Sequence, residues 1–81
     1  MDNPKIKSDP VIDIGSNIRT IRKEKKVGQT ELVRQMQLIG VEMTRETLVK
    51  IERGIQHIKA SQLKGIRDAL DTTYDELLKT K

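Results

Sequence analysis

Apolar residues recur along this chain at intervals of three and four. Ile14, Ile18 and Ile21 fall on one face of a helix and Arg19, Arg22, Lys23 and Lys26 on another, so a first helix is predicted over 14–26, capped by Asp13. Val27 and Gly28 interrupt it. Leu32, Val33 and Met36 then mark the inner face of a second helix over 29–37, for which Gly28 is a tolerable N-cap. Leu48 and Ile51 define a third over 45–53, with Thr44 as its cap and Gly54 as its stop. Leu63, Ile66 and Leu70 define a fourth, with Ser61 read as its cap. Thr73 and Glu76 have the spacing of a capping box and open a short fifth helix that buries part of Leu77 and Leu78. The pattern predicts an all-α domain over 13–79 with five helices and no strands. Residues 1–12, with Pro4, Pro10, Asn3 and Ser8, read as a flexible or extended arm.

The connection between the second and third helices runs Leu38-Ile39-Gly40-Val41-Glu42-Met43. Gly40 can take positive φ and end the second helix, but six residues exceed a tight helix-turn-helix turn. With Leu48 and Ile51 inward, the third helix turns Arg45, Glu46, Val49 and Lys50 outward. A short helix with a polar and charged outer face suits a DNA major groove.

Composition removes several function classes. At 81 residues there is room for one small core, which makes pairing with a second copy an expectation. Aromatic content is 1%, Tyr74 alone, which disfavours stacking on single-stranded bases or RNA. The absence of Cys removes disulfides, thiolate metal sites and cysteine nucleophiles, and fits a reducing cytoplasm. No apolar run reaches the length of a membrane span or signal segment. One His, no Gly-rich phosphate loop and no metal-ligand spacing leave no constellation for catalysis, so neither an enzyme, a metal, a cofactor nor a small-molecule ligand is expected.

The net charge of +4 is unevenly placed. Between Gly15 and Arg67 there are twelve Lys or Arg against five Glu, whereas both ends are slightly acidic. A basic centre is either solvated surface or an electrostatic footprint for phosphates. Charge alone does not choose.

Gln29-x-x-Leu32, the sequence Ile51-Glu52-Arg53-Gly54 closing the third helix, and Tyr74-Asp75-Glu76-Leu77-Leu78 together resemble the Cro/repressor (Xre-type) helix-turn-helix domain. The resemblance spans about residues 15–79 and implies a five-helix lambda-repressor-like fold. The long bridge before Met43-Thr44-Arg45 resembles a subgroup with a lengthened turn. Val33 stands where the family favours Ala, Lys26 where a C-terminal Gly is common, and Gly28 where a capping Thr is common.

The resemblance also implies roles. Thr44, Arg45, Glu46, Val49 and Lys50 match positions that meet bases or flanking phosphates. Their chemistry suits this: Arg can be bidentate to guanine, Glu can accept from cytosine N4, Lys can donate to guanine or phosphate, and Val can touch a thymine methyl. For Glu46 the alternative is repulsion from phosphate, with the carboxylate only orienting Arg45. Gln29 matches a glutamine that hydrogen-bonds a phosphate and braces the recognition helix. Arg53, His57 and Lys59 lie where backbone contacts come from the loop between the third and fourth helices, and Arg34 is a further phosphate candidate. Arg22 and Glu52 match a structural pair joining the first helix to the end of the third.

The implied function is sequence-specific binding of double-stranded DNA by a prokaryotic or phage transcriptional regulator, cytoplasmic and nucleoid-associated, acting as a homodimer on paired half-sites. Tyr74, Leu77 and Leu78, or the N-terminal arm, could supply the dimer contact or could simply close the core. The rival is a protein-interaction module, antitoxin-like or regulator-binding. An apolar or acidic outer face on the third helix would favour that rival, whereas Arg45 and Lys50 favour DNA.

Overall fold

The computed structural model describes residues 5–6 and 12–80. Its elements follow in the order β1 (Lys5–Ile6), α1 (Ile14–Glu24), α2 (Gln29–Leu38), α3 (Arg45–Glu52), β2 (Ile58–Lys59), α4 (Ala60–Leu70) and α5 (Tyr74–Leu77). The core is aliphatic: Ile18, Leu32, Met36, Leu48, Ile66 and Leu77 are wholly buried. Burying one such side chain is worth about 1.5–3 kcal/mol. α1 packs against α3, α4 and α5, while α2 lies on α3 and α4. Leu77 therefore closes the core and is unavailable to a second copy, whereas Tyr74 and Leu78 keep about a third of their surface exposed.

Local chemistry sets the helix limits. Asp13 Oδ1 accepts the Ser16 N–H at 3.0 Å, Thr44 Oγ1 the Thr47 N–H at 3.1 Å, and Thr73 Oγ1 the Glu76 N–H at 3.1 Å. Each satisfies an amide that the first helical turn leaves without an intrahelical partner. α4 differs from expectation. It begins two residues earlier than a Ser61 cap would allow, because Gln62 Oε1 reaches back to accept the Lys59 N–H at 2.9 Å and makes Lys59 the N-cap.

The four longer helices end alike. Lys26, Gly40, Gly54 and Asp71 all take positive φ, and the amide of each following residue returns to the last turn: Val27 to Arg22, Val41 to Met36, Ile55 to Lys50 and Thr72 to Arg67. This is the left-handed C-terminal motif that favours glycine. It stops α1 at Glu24, short of the expected Lys26, and α3 at Glu52, with Arg53 as the C-cap. α2 gains Leu38 beyond the expected end.

The two strands are the departure from a strand-free expectation. β1 pairs antiparallel with β2, Lys5 opposite Lys59 and Ile6 opposite Ile58. Two residues per strand are too few to display a period-two pattern, so periodicity could not reveal them. Ile58 is fully buried and Ile6 packs partly against the same core. Most of the expected arm over 1–12 lies outside the described residues.

One close approach fixes α1 against α3. A Cβ on Gly15 would collide with the Ile51 carbonyl oxygen and crowd that of Glu52 at 3.0 Å. Both obstacles are helix backbone and cannot swing aside. Helix propensity alone favours Ala over Gly by about 1 kcal/mol. Gly15→Ala is nevertheless expected to lower the unfolding free energy by about 1–3 kcal/mol through overpacking, measured by urea denaturation. A rise in stability would show that the two helices can separate freely.

Candidate nucleic-acid interface

α3 has an inner and an outer row. Leu48, Ile51 and Glu52 are buried, Val49 and Lys50 are half-buried, and Arg45 and Glu46 are exposed. The helix enters after the bridge, where only Met43 is fully buried and Val41 partly so; Leu38 and Ile39 remain exposed. Gln37 Nε2 donates to the Met43 carbonyl at 2.9 Å and holds the bridge just before the Thr44 cap. Val41 is also pressed onto α4, its Cγ2 lying 2.9 Å from where a Cβ on Gly65 would be.

At the other end of α3 a buried ionic cluster joins three helices. Arg22 Nε and Nη2 donate to Glu52 Oε2 and Oε1 at 2.8 and 3.0 Å, a two-pronged pairing, while Nη1 donates to the Val27 carbonyl at 2.9 Å. Gln29 Nε2 adds a third bond to Glu52 Oε1 at 3.1 Å. Both charged residues are 8% exposed. Arg22 comes from α1, Gln29 opens α2 and Glu52 closes α3, so the cluster locks α2 and α3 to α1. Gln29, half-buried at the start of α2, has one amide proton engaged in this lock and a second not committed to it.

The outer row has its own pairing. Lys50 Nζ lies 3.2 Å from Glu46 Oε1, an i,i+4 contact in which Glu46 is 80% exposed. Such a surface pair is worth only about 0.3–0.5 kcal/mol. Glu46 is thus oriented toward Lys50 and not toward Arg45. Thr44 is exposed, but its hydroxyl already caps α3 and bonds the Thr47 hydroxyl at 3.0 Å. Arg34, Arg45, Arg53, His57 and Lys59 are exposed, and none forms an ion pair among the described residues. Thr44, Thr47, Lys59 and Gln62 are among the residues that line an open cleft of about 640 Å³ at the start of α3. Among the described residues no group of three or more His, Asp or Glu side chains converges on a point that could hold a metal.

The structure therefore brings together Arg22, Gln29 and Glu52, and separately Thr44 and Lys59. Gly15, Gln37, Met43 and Ile58 carry structural roles that periodicity left unassigned. For Gly15 a small residue between Ile14 and Ile18 was the available signal; for Gln37 there was none.

The chain aligns closely with solved regulators. The clp gene regulator ClgR from C. glutamicum superposes with a TM-score of 0.72 at 22% identity, over 95% of this chain and 87% of that one. The restriction-modification controller protein C.AhdI from Aeromonas hydrophila gives 0.71 at 23% identity, over 82% and 92%. A hypothetical transcription factor from Neisseria, NHTF, gives 0.73 at 24% identity, over 98% and 88%. The chain shares the helix-turn-helix fold of these solved proteins. No protein-family model and no curated protein matches the sequence. Within the helix-turn-helix frame, α2 and α3 are the paired helices and the bridge around Gly40 is the turn. No helix among the described residues is long and apolar enough to cross a membrane.

The buried cluster generates a stability prediction. Glu52→Ala leaves the Arg22 guanidinium buried without its counter-charge and is expected to cost about 3–5 kcal/mol, read as a lower urea midpoint. Replacing both residues with apolar ones, Arg22→Met with Glu52→Leu, should recover a large part of that loss. An equally unstable double variant would place the cost in packing and not in the stranded charge.

Proposed function

We propose that this chain is a sequence-specific double-stranded DNA-binding protein, a prokaryotic or phage-type transcriptional regulator whose α3 enters the major groove. The observation that carries the reading is the outer row of α3, where Arg45 is exposed and, among the described residues, without an ion-pair partner, on a helix whose inner row is fixed by core burial and by the Glu52 cluster. The basic centre of the sequence and the overlap with solved transcription regulators support it.

In this arrangement Arg45 meets a base edge, bidentate to guanine, and Lys50 and Val49 reach the next bases along the groove. Glu46 either accepts from a cytosine amine or restrains Lys50 until DNA displaces it. Thr44, with its hydroxyl committed to the cap, approaches bases chiefly through its methyl group. Gln29 offers its uncommitted amide proton to a phosphate at the start of α2. Arg53, His57 and Lys59 hold the backbone beyond α3, and Arg34 holds it from α2. The role is binding without catalysis, at the nucleoid. A homodimer on an inverted repeat fits the way a single small reading head gains specificity, with Tyr74 and Leu78 as candidate contacts between copies.

Selection of bound duplexes from a random pool at fixed salt tests the reading: enrichment of an inverted repeat is expected, and no enrichment would favour a protein-interaction module. On the selected site, Arg45→Ala should weaken binding by about 1–3 kcal/mol and relax preference at one base pair. Equal loss on every sequence would contradict base reading. Lys59→Ala should weaken all sequences alike and make log K fall less steeply with log salt, by roughly 0.9. An unchanged slope would argue against a phosphate contact there.

A further inference from the structure

Glu46 and Lys50 meet on the outer row of α3, with Lys50 Nζ 3.2 Å from Glu46 Oε1. Among the described residues Glu46 Oε2 accepts no hydrogen bond and Lys50 has no other acidic partner. One carboxylate oxygen and two ammonium protons therefore remain uncommitted. The helix does not depend on the pair. Its inner row is buried and its end is held by Arg22 and Gln29 through Glu52, while an exposed i,i+4 contact adds little.

A lone carboxylate on a helix in the major groove is repelled by the phosphates of both strands. Paired with Lys50, it enters as part of a neutral unit that sets an acceptor beside a donor. That arrangement has a counterpart in DNA. In the major groove a C·G pair shows the cytosine N4 amine beside guanine O6, joined by a Watson–Crick hydrogen bond of about 2.9 Å. Carboxylate against amine and ammonium against O6 place each protein group opposite its complement, and guanine N7 gives Lys50 a second acceptor. An A·T pair offers an amine and a carbonyl in the same order. Its adenine N7, however, falls on the carboxylate side, and the thymine methyl replaces the second acceptor. Reversing the C·G pair exchanges amine and carbonyl and sets like against like.

We propose that Glu46 and Lys50 read one base pair jointly: Glu46 accepts from cytosine N4, and Lys50 donates to O6 and N7 of the guanine paired with that cytosine. The inference rests on the DNA-binding reading above and deepens it by naming a feature of the target, a C·G pair in each half-site with its cytosine toward Glu46. The two side chains act as a single recognition element.

The test uses the full chain and its selected duplex, with all four base pairs placed in turn at each position of the half-site. Glu46→Ala and Lys50→Met, the second keeping the methylene stem, are expected to lose preference at the same position, each lowering the C·G advantage roughly tenfold. The double variant should lose no more than the larger single loss, because either change dismantles the unit. Glu46→Gln should move the preference at that position toward A·T, since a carboxamide can pair with adenine N6 and N7. Without DNA these variants should melt with the parent. Preference lost at two different positions, or losses that add, would overturn the joint reading and leave the DNA-binding reading standing. So would a Glu46→Ala variant that binds every sequence more tightly with its base preference intact, which would make the carboxylate a source of repulsion alone. Failure of the parent chain to select any duplex would overturn both.

Discussion

A carboxylate held out of water must have its charge answered at close range, and Glu52 is where this constraint falls on the chain. At the last turn of α3 it is almost wholly buried, and its two oxygens take three hydrogen bonds from Arg22 and Gln29. The paired guanidinium bonds are directional as well as strong, so they fix angle and distance together. Arg22 is itself anchored by the Val27 carbonyl just past the end of α1. A single buried charge therefore determines how three helices meet. Its worth lies in this geometry more than in net stability, because desolvation offsets most of the attraction.

The backbone contact at Gly15 acts on the same joint from the other side. The cluster draws the end of α3 toward α1, and the missing side chain lets the two backbones come together. At the opposite end of α3 the bridge is held by Gln37 and by Val41 pressed onto Gly65. Both ends of the helix are thus positioned by groups that take no part in its outer face. A short helix needs such support, since eight residues are too few to be stable alone.

Helix positions were legible because the aliphatic spacing is regular and the core has few alternatives. Ile14, Ile18, Leu32, Leu48, Ile66 and Leu70 are buried where periodicity puts them. Helix limits were less legible. Ser61 has a favoured capping side chain, yet the Gln62 side chain accepts the Lys59 N–H and the start of α4 moves to Ala60, and Lys26 left the helix in a conformation its side chain disfavours. The strands escaped notice because the pairing joins segments more than fifty residues apart and only two residues long. At the interface, Arg22 and Glu52 were paired by resemblance and Arg45 by its outward register. The Glu46–Lys50 contact is an ordinary i,i+4 neighbour relation, but which cation Glu46 turns toward depends on rotamers that sequence does not encode.

The two turns of the outer row of α3 are unequally free to change. Arg45 and Glu46, in the first turn, project into solvent, whereas Val49 and Lys50, one turn later, are half-enclosed by the scaffold. Substitution at the first pair leaves the fold untouched, and substitution at the second is limited by size. Under the proposed DNA-reading role, descendants of such a domain would acquire new targets mainly through residues 45 and 46, with later bases read from a narrower repertoire. The outer face of α3 is a partly exchangeable cassette, open at one end and bound to its frame at the other.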